Sequence, residues 1–177
     1  MLSELDAADR RAQDLATGLG PELLNWKPRP DAWSIGQCLH HLFVTNEVYL
    51  PPIANALDGR QRSRVQDVTP GWFGRWFIRN YVEPSSRSRR VRAPRKITPG
   101  ERIEPAILDS FLASNQKARE LVRRASDYDV NRIRFKNPLL SLLRFTVGTG
   151  LEIVWKHQCR HLLQAERVKQ SAEFPKG

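Results

Sequence analysis

Four stretches of this chain repeat apolar residues at the spacing of an α-helix, and this periodicity limits the possible folds more than any other feature. The stretches cover residues 3–18, 34–58, 105–126 and 147–169. Side chains at positions i, i+3, i+4 and i+7 share one face of a helix, so each stretch can turn one apolar stripe towards a core. No stretch alternates apolar and polar residues convincingly, as a half-buried strand would. The sequence therefore predicts an all-α fold in which four main helices pack as a bundle.

Local signals mark the ends and the weak points of these helices. Ser34, with Gln37 three residues later, has the pattern of a capping box at the start of the second helix. Pro105 suits the first turn of the third helix, where its missing N–H is not needed. The pair Pro51 and Pro52 lies inside the second helix, and it predicts a kink or an interruption near the last turns.

Residues 59–104 form a long, proline-rich crossover between the second and third helices. Within it, an aromatic patch predicts a short helix from about Gly71 to Tyr81. Its members are Trp72, Phe73, Trp76, Phe77 and Tyr81. The length of the crossover allows the second and third helices to run parallel, which favours an up-down-down-up order. Residues 1–170 are expected to form a single domain, followed by a flexible tail at 171–177.

The composition is that of a folded, water-soluble chain. Its 177 residues are 40% hydrophobic and 27% charged, which is enough for one core with a polar surface. Because no run of about 18 apolar residues and no signal-peptide pattern occurs, we expect a cytoplasmic location and no membrane partner. In that reducing compartment, Cys38 and Cys159 are expected to be free thiols.

The formal net charge of +10 at pH 7 has a dense focus at residues 87–96 of the crossover. Four arginines there are candidates for anion binding: Arg87, Arg89, Arg90 and Arg92. One interpretation is a solvated surface segment, and the other is a site for a carboxylate-bearing substrate or a nucleic acid. No recognition helix, zinc finger or RNP pattern accompanies the charge, which disfavours nucleic acid. The aromatic patch is interpreted as core or interface packing, including a homodimer contact, with base stacking as the alternative.

The four histidines fall into two pairs, one on the second predicted helix and one on the last. His157 and His161 are four residues apart, so both imidazoles can lie on one helix face. His40 and His41 are adjacent, and periodicity barely separates them. The pairs are either hydrogen-bonded core side chains or ligands of a divalent transition metal that keeps coordination positions open. The motif of zinc proteases is excluded, because Gln158 and not a glutamate follows His157.

A longer motif precedes and enters the second helix. It reads Trp26-x-Pro28-x-Pro30-Asp31-x-Trp33-Ser34-Ile35-Gly36-Gln37-x-Leu39-x-His41-Leu42. Together with His157-x-x-x-His161, this motif resembles the DinB/YfiT-like superfamily over nearly the whole chain. The resemblance implies an up-down-down-up four-helix bundle that holds a divalent metal, Zn, Ni or Fe, with three histidines. By position these are His41, His157 and His161, with His40 as a neighbour.

The resemblance also implies a type of chemistry. Known activities in that superfamily include metal-dependent transfer to low-molecular-weight thiols and thiol-dependent isomerisation, so the ion is expected to activate a thiol. Activation of a water for hydrolysis is the related expectation. The substrate is expected to be a small molecule, and an anionic one if the basic crossover binds it. The alternative is a non-catalytic helical bundle with an anionic or nucleic-acid partner at residues 87–96.

Several other side chains are candidates for a role near the histidines. Asn46 and Gln158 face inward, so they are candidates for hydrogen bonds either to the metal ligands or between helices. Cys38 is considered as a fourth ligand, although a small buried hydrophobic side chain is the favoured interpretation. Glu47 and Glu152 are poorly placed on their helices, and the sequence identifies no general base.

Overall fold

Helices make up most of the chain in a computed structural model that describes residues 1–63, 67–83, 93–140 and 142–175. The α-helices in these ranges are α1 (Leu2–Ala16), α2 (Pro21–Asn25), α3 (Ile35–Leu57), α4 (Trp72–Phe77), α5 (Ile107–Ala125) and α6 (Val147–Lys169). A π-helical turn, Ile78–Val82, continues α4, and a 3-10 turn, Arg95–Ile97, lies near the end of the crossover. None of the helices in the described ranges has the length and apolar character needed to cross a membrane.

The four long helices are the four predicted from periodicity. Helix α3 packs against α5 and α6, and α1 packs against the same two helices. Such contacts bury the apolar stripe of each helix, which explains why these stretches are helical. The mostly helical fold is therefore confirmed, whereas the up-down-down-up order of the four helices stays a prediction.

The hydrophobic core has two parts that are separated by buried polar side chains. On α3, Leu42 belongs to one part and Tyr49 to the other. Between them lie Thr45 and Asn46, each at most 4% exposed. On α5, the buried polar residues Ser114 and Asn115 follow Phe111. On α6, the buried polar residues Gln158 and His161 precede Leu162. The candidate site and a second polar cluster both lie at this level of the fold.

Helix α3 continues through Pro51 and Pro52 to Leu57, so the chain is not interrupted at the proline pair. The two prolines cannot donate to the carbonyls of Glu47 and Val48, one turn earlier. Glu47 is exposed and Val48 is partly exposed, so water can bind these carbonyls. Packing of Tyr49, Leu50 and Ile53 in the core then keeps this part of the helix in place.

A small antiparallel sheet was not predicted. Its strands are β1 (Arg134–Lys136) and β2 (Arg144–Thr146), with Phe135 opposite Phe145. Both phenylalanines are buried, and the charged neighbours on β1 are exposed. Strands of three residues are too short to show a period-2 pattern, so the sequence signal was missing.

The aromatic helix and the C-terminal tail both contain side chains that pack on the rest of the fold. The short helix predicted from about Gly71 to Tyr81 is present as α4 and its π-helical turn, and Phe73 stacks on Phe145 with ring centroids 5.9 Å apart. In the predicted tail, Phe174 lies edge-on against Trp26 at 5.3 Å. The single domain at 1–170 and the flexibility of residues 171–177 stay predictions.

Candidate metal centre

The start of α3 is held by the predicted capping box. The backbone N–H of Gln37 donates to Ser34 Oγ over 3.1 Å, and the N–H of Ser34 donates to Gln37 Oε1 over 3.2 Å. Gln37 Nε2 also donates to the carbonyl of Gly100, which ties the crossover to this helix end. His41 lies two turns further along α3. The capping box and the hydrogen bond to Gly100 therefore fix the first turn of the helix that positions His41.

Three histidines from α3 and α6 meet inside the fold. The ring centroids of His41 lie 4.9 Å from His157 and 4.5 Å from His161, and those of His157 and His161 are 4.5 Å apart. One nitrogen from each ring lies within 4.8 Å of the others. This spacing is compatible with a single metal ion between them.

Hydrogen bonds determine which ring nitrogens of His41 and His161 keep a lone pair. His41 Nδ1 lies 2.6 Å from the carbonyl oxygen of Ile97, which can only accept, so Nδ1–H is the donor. His161 Nδ1–H donates in the same way to Gln164 Oε1 over 3.0 Å. Each ring then keeps a lone pair on Nε2, and His41 Nε2 is 3.2 Å from His157 Nε2. Such partners fix a ligating imidazole in its tautomer and orientation, so this donor set fits a transition metal.

The surroundings of the cluster favour neutral imidazoles. Burial lowers the pKa of His41 to about 4, and burial with the nearby charge of His41 lowers the pKa of His161 to about 3. The pKa of His157 lies well below its usual value, first through desolvation and then through the charges of His161 and His41. A metal binds the neutral form of histidine, so all three rings are in the competent state at neutral pH.

Trp33 forms one wall of the cluster. Its ring is stacked on His161 with centroids 5.5 Å apart, and it lies 4.8 Å from His41. The indole precedes the capping residue Ser34, so the same local structure places the wall and starts the helix. A large apolar ring at this place keeps water away from two of the three imidazoles, which agrees with their lowered pKa values.

The structure separates residues that periodicity could not. His40 lies outside the cluster and is partly exposed, and its ring packs edge-on against Phe43 with centroids 6.3 Å apart. Cys38 is fully buried among hydrophobic side chains, and burial raises the pKa of its thiol. It is not part of the group around His41, which agrees with its interpretation as a small hydrophobic side chain.

Asn46 and Gln158 are buried, as predicted, and bond within another polar cluster. Gln158 Nε2 donates to Asn115 Oδ1 over 2.6 Å, and Asn46 Nδ2 donates to Ser114 Oγ over 2.9 Å. Within the described ranges, neither side chain bonds to a histidine of the centre. The structure thus shows interhelical hydrogen bonds here, and a role for these two amides towards a metal stays a prediction.

Glu47 and Glu152, the two glutamates considered for a general base, both form ion pairs. Glu47 accepts from Lys117 Nζ over 2.9 Å, and Glu152 lies 2.7 Å from Lys156 Nζ. Neither belongs to the histidine group. The geometry therefore agrees with the prediction that neither glutamate is a good candidate for a general base.

Arg160 brings a positive charge to the edge of the histidine group. It follows His157 by three residues, so the two side chains lie about 60° apart around α6. Its guanidinium is half-buried and donates to the carbonyl of Tyr81 over 3.2 Å. In the part of the chain that the structure describes, no carboxylate pairs with it. Desolvation lowers the pKa of Arg160, and its charge contributes to the lowered pKa values of His157 and His161.

The predicted anion-binding arginines Arg87, Arg89, Arg90 and Arg92 lie outside the described residues. Two basic neighbours further along, Arg95 and Lys96, are described and exposed. They belong to the 3-10 turn whose last residue, Ile97, accepts the hydrogen bond from His41. The basic segment therefore leads directly to the backbone that orients one histidine.

Sequence reasoning missed three residues of this centre. Gln164 had a usable signal, because it follows His161 by three residues and so shares its helix face. Trp33 stood in the motif, yet nothing indicated that it would contact the histidines. The carbonyl of Ile97 had no signal at all, since a main-chain oxygen carries no residue-specific pattern.

One of three comparisons with known proteins found a match. The family model of the DinB superfamily matches residues 4–165. The comparison with curated proteins and the comparison with solved structures each found no match. The matched region contains the tryptophan-rich motif and all three clustered histidines. With most of its length matched, the chain belongs to the DinB superfamily.

Proposed function

We propose that His41, His157 and His161 bind one divalent transition metal, with Zn, Ni and Fe as the candidates. The observation that supports this best is the convergence of three ring nitrogens within 4.8 Å of one another. The two hydrogen bonds at Nδ1 leave an Nε2 lone pair on His41 and on His161. Three imidazoles complete no usual coordination sphere, so a position is left for a small molecule.

The proposed activity is that of a metal-dependent enzyme that activates either a low-molecular-weight thiol or a water. When bound, the ion would act as a Lewis acid that favours the deprotonated form of either group. The reactions that follow are transfer to the thiol, thiol-dependent isomerisation or hydrolysis. Ile97 and Gln164 hold the rings of His41 and His161, and Trp33 excludes water from one side of them.

The proposed substrate is small and anionic. Arg160 supports this, because a half-buried guanidinium without a carboxylate partner in the described ranges can bind a carboxylate or phosphate through its planar fork of donors. Its hydrogen bond to Tyr81 O holds the side chain at the edge of the cluster. An anion bound there would lie beside His157.

Metal analysis of the purified full-length chain tests the site. Wild-type protein reconstituted with Zn²⁺, Ni²⁺ or Fe²⁺ should retain about one equivalent, and His161→Ala should retain less than about a tenth of that. His40→Ala is the matched control, since it removes a neighbouring imidazole outside the cluster, and it should retain metal as the wild type does. Circular dichroism checks that each variant is helical. Equal retention by the wild type and His161→Ala would contradict the proposal.

Catalysis needs a separate assay. The reconstituted protein is incubated with low-molecular-weight thiols and electrophiles, and with ester or amide substrates in the absence of thiol. Turnover that requires the metal and is lost in His161→Ala supports an enzyme. Stoichiometric metal with no turnover in any arm would favour the non-catalytic bundle instead.

A further inference from the structure

Large apolar side chains are exposed on two neighbouring elements of the fold. On α4, Trp72 is 76% exposed and Trp76 is 48% exposed. In the loop between β1 and β2, Leu142 is 96% exposed and Leu140 is 45% exposed. Isolated exposed apolar residues are ordinary, but a group of this size indicates a contact surface.

A ring contact joins the two elements. Phe73 lies between Trp72 and Trp76, with ring centroids 5.9 and 5.8 Å away. The same Phe73 stacks on Phe145 of β2 at 5.9 Å. Through Phe73, the tryptophans of α4 therefore lie close to β2, the strand that follows the loop with Leu142.

Positive charge predominates on these two elements, and the acidic residues that directly border them are Asp67, Glu83 and Asp129. Residues 68–82 and 130–146 contain six arginines and lysines and no aspartate or glutamate. All six are exposed, and they are Arg75, Arg79, Arg132, Arg134, Lys136 and Arg144. Of these, Arg132 pairs with Asp129, and the other five have no acidic partner within the described ranges. We call the exposed apolar residues together with these six the aromatic–basic face.

Three kinds of partner could contact this face. A second copy would bring six like charges per chain into contact, which disfavours self-association. A single-stranded nucleic acid would stack on the tryptophans, but the aliphatic tips Leu140 and Leu142 offer no stacking platform. A lipid surface uses both kinds of side chain, because tryptophan and leucine enter the boundary of headgroups and acyl chains while arginine and lysine bind lipid phosphates.

We propose that the aromatic–basic face docks on the surface of an anionic lipid bilayer. Trp72, Trp76 and Leu142 enter the headgroup boundary, and the surrounding arginines and Lys136 contact anionic headgroups. The expectation that this chain has no membrane partner followed from the absence of a spanning segment, and a surface contact needs none. The proposal is independent of the metal centre.

Flotation with vesicles tests the docking. The full-length chain should float with vesicles of phosphatidylglycerol and phosphatidylcholine at low salt, and at least tenfold less with phosphatidylcholine alone or at high salt. Trp72→Ala and Leu142→Asn should each weaken the partition coefficient several-fold. Both side chains are largely exposed, so these variants should keep the helical circular dichroism of the wild type.

A charge-matched pair separates the face from the overall charge. Arg134→Gln/Arg144→Gln should weaken partitioning at least tenfold, because each cation near an anionic surface contributes about fivefold. Arg10→Gln/Arg123→Gln removes the same charge from exposed positions on α1 and α5, and it should change partitioning less than threefold. Equal losses in the two pairs would overturn the proposal, since they would show a response to net charge alone.

Two further outcomes would also overturn it. One is tighter binding of a single-stranded oligonucleotide than of anionic vesicles, lost in Trp72→Ala, which would assign the face to nucleic acid. The other is a dimer in sedimentation that Trp72→Ala or Leu142→Asn converts to monomer, which would assign it to a second copy. A monomer that floats with anionic vesicles through this face supports the proposal.

Discussion

The side chain of Gln164 determines which ring nitrogen of His161 carries the proton. Its Oε1 accepts from His161 Nδ1 over 3.0 Å, which leaves Nε2 free for a metal. Removing such an orienting partner usually weakens metal affinity about 10–100-fold. We therefore expect Gln164→Ala to weaken Zn²⁺ or Co²⁺ binding by that factor, measured by competition with a chelator.

A conservative variant distinguishes orientation from packing. Gln164→Glu keeps an acceptor oxygen at the same distance along the side chain, so it should restore most of the affinity. If Gln164→Glu is as weak as Gln164→Ala, the amide does not act through the hydrogen bond to His161.

The lowered pKa values of the histidines make the stability of the metal-free protein depend on pH. Burial lowers the pKa of His41 to about 4 in the fold, whereas the pKa of an unfolded histidine is about 6.5. Below pH 6.5 the unfolded chain takes up a proton that the folded chain does not, so stability falls as the pH falls towards 4. Above pH 6.5 this contribution is complete and constant.

Urea unfolding in the presence of a chelator measures this dependence. Between pH 6 and 5, the free energy of unfolding of His41→Asn should fall less steeply than that of the wild type, by up to about 1.4 kcal/mol per pH unit. His40→Asn changes a partly exposed ring and should alter the slope less. Identical slopes for the wild type and His41→Asn would contradict a buried, neutral His41.

At the residue scale, the choice of His41 as a metal ligand came from the sequence motif and not from helix periodicity. His40 and His41 are neighbours on α3, and their helix angles gave no clear choice between them. The structure places His41 at 2% exposure in the cluster and leaves His40 outside it. The difference arises from contacts with α6 and the crossover, which are distant in sequence.

At the scale of elements, Gly150 sets the distance between α6 and the small sheet. A Cβ at this position would lie 2.6 Å from Phe135 Cε1 and 2.9 Å from Ile53 Cδ1. Alanine normally stabilises a helix interior by about 1 kcal/mol relative to glycine. Here the overpacking should dominate, and Gly150→Ala should lower the free energy of unfolding by about 1–3 kcal/mol.

Gly100→Ala is the control for this prediction. Its Cβ would meet Ile103 Cδ1 at 3.5 Å, an ordinary contact, so the free energy of unfolding should change by less than about 0.5 kcal/mol. Urea denaturation of both variants gives the comparison. A stability gain in Gly150→Ala would show that Phe135 can move away from α6.

The elements themselves differed in how well the sequence predicted them. The long helices have strong periodic stripes, and the predicted end of the first helix at residue 18 differs from the observed end at Ala16 by two residues. The strands around Phe135 and Phe145 were missed because each is only three residues long. At Pro51 and Pro52, local propensity predicted a break or a kink, and the chain stays helical because the flanking residues are packed in the core.

At the scale of the whole molecule, Asn115 of α5 connects all four long helices. Its Nδ2 donates to Asp9 Oδ1 of α1 over 2.7 Å. Its Oδ1 accepts from Asn46 Nδ2 of α3 over 3.2 Å and from Gln158 Nε2 of α6 over 2.6 Å. Removal of the Asn115 amide would take one hydrogen-bond partner from Asn46 and from Gln158, and both are buried where water cannot replace it.

We therefore expect Asn115→Ala to lower the free energy of unfolding by about 3 kcal/mol. Asn55→Ala, at an exposed position on α3, should cost less than about 0.5 kcal/mol. Thermal and urea unfolding measure both. If Asn115→Ala costs no more than Asn55→Ala, the polar cluster does not contribute to holding the helices together.

The sequence could indicate that Asn46 and Gln158 face inward, but not which partners they would find. Each helix shows only its own apolar stripe, and the pairing of amides across three helices depends on their relative rotation and shift. Neither quantity leaves a trace in the periodicity of one helix. The sequence predicted that α3 and α6 contribute to the centre, but it did not predict the contribution of the crossover.

The atom that orients His41 belongs to the main chain of Ile97 and not to a side chain. Point substitutions at position 97 that preserve the fold therefore cannot delete it, and the tautomer of His41 is protected from ordinary sequence drift there. Shortening the loop is the more damaging event, because removing even one residue from Arg95–Ile97 would shift that oxygen away from the imidazole.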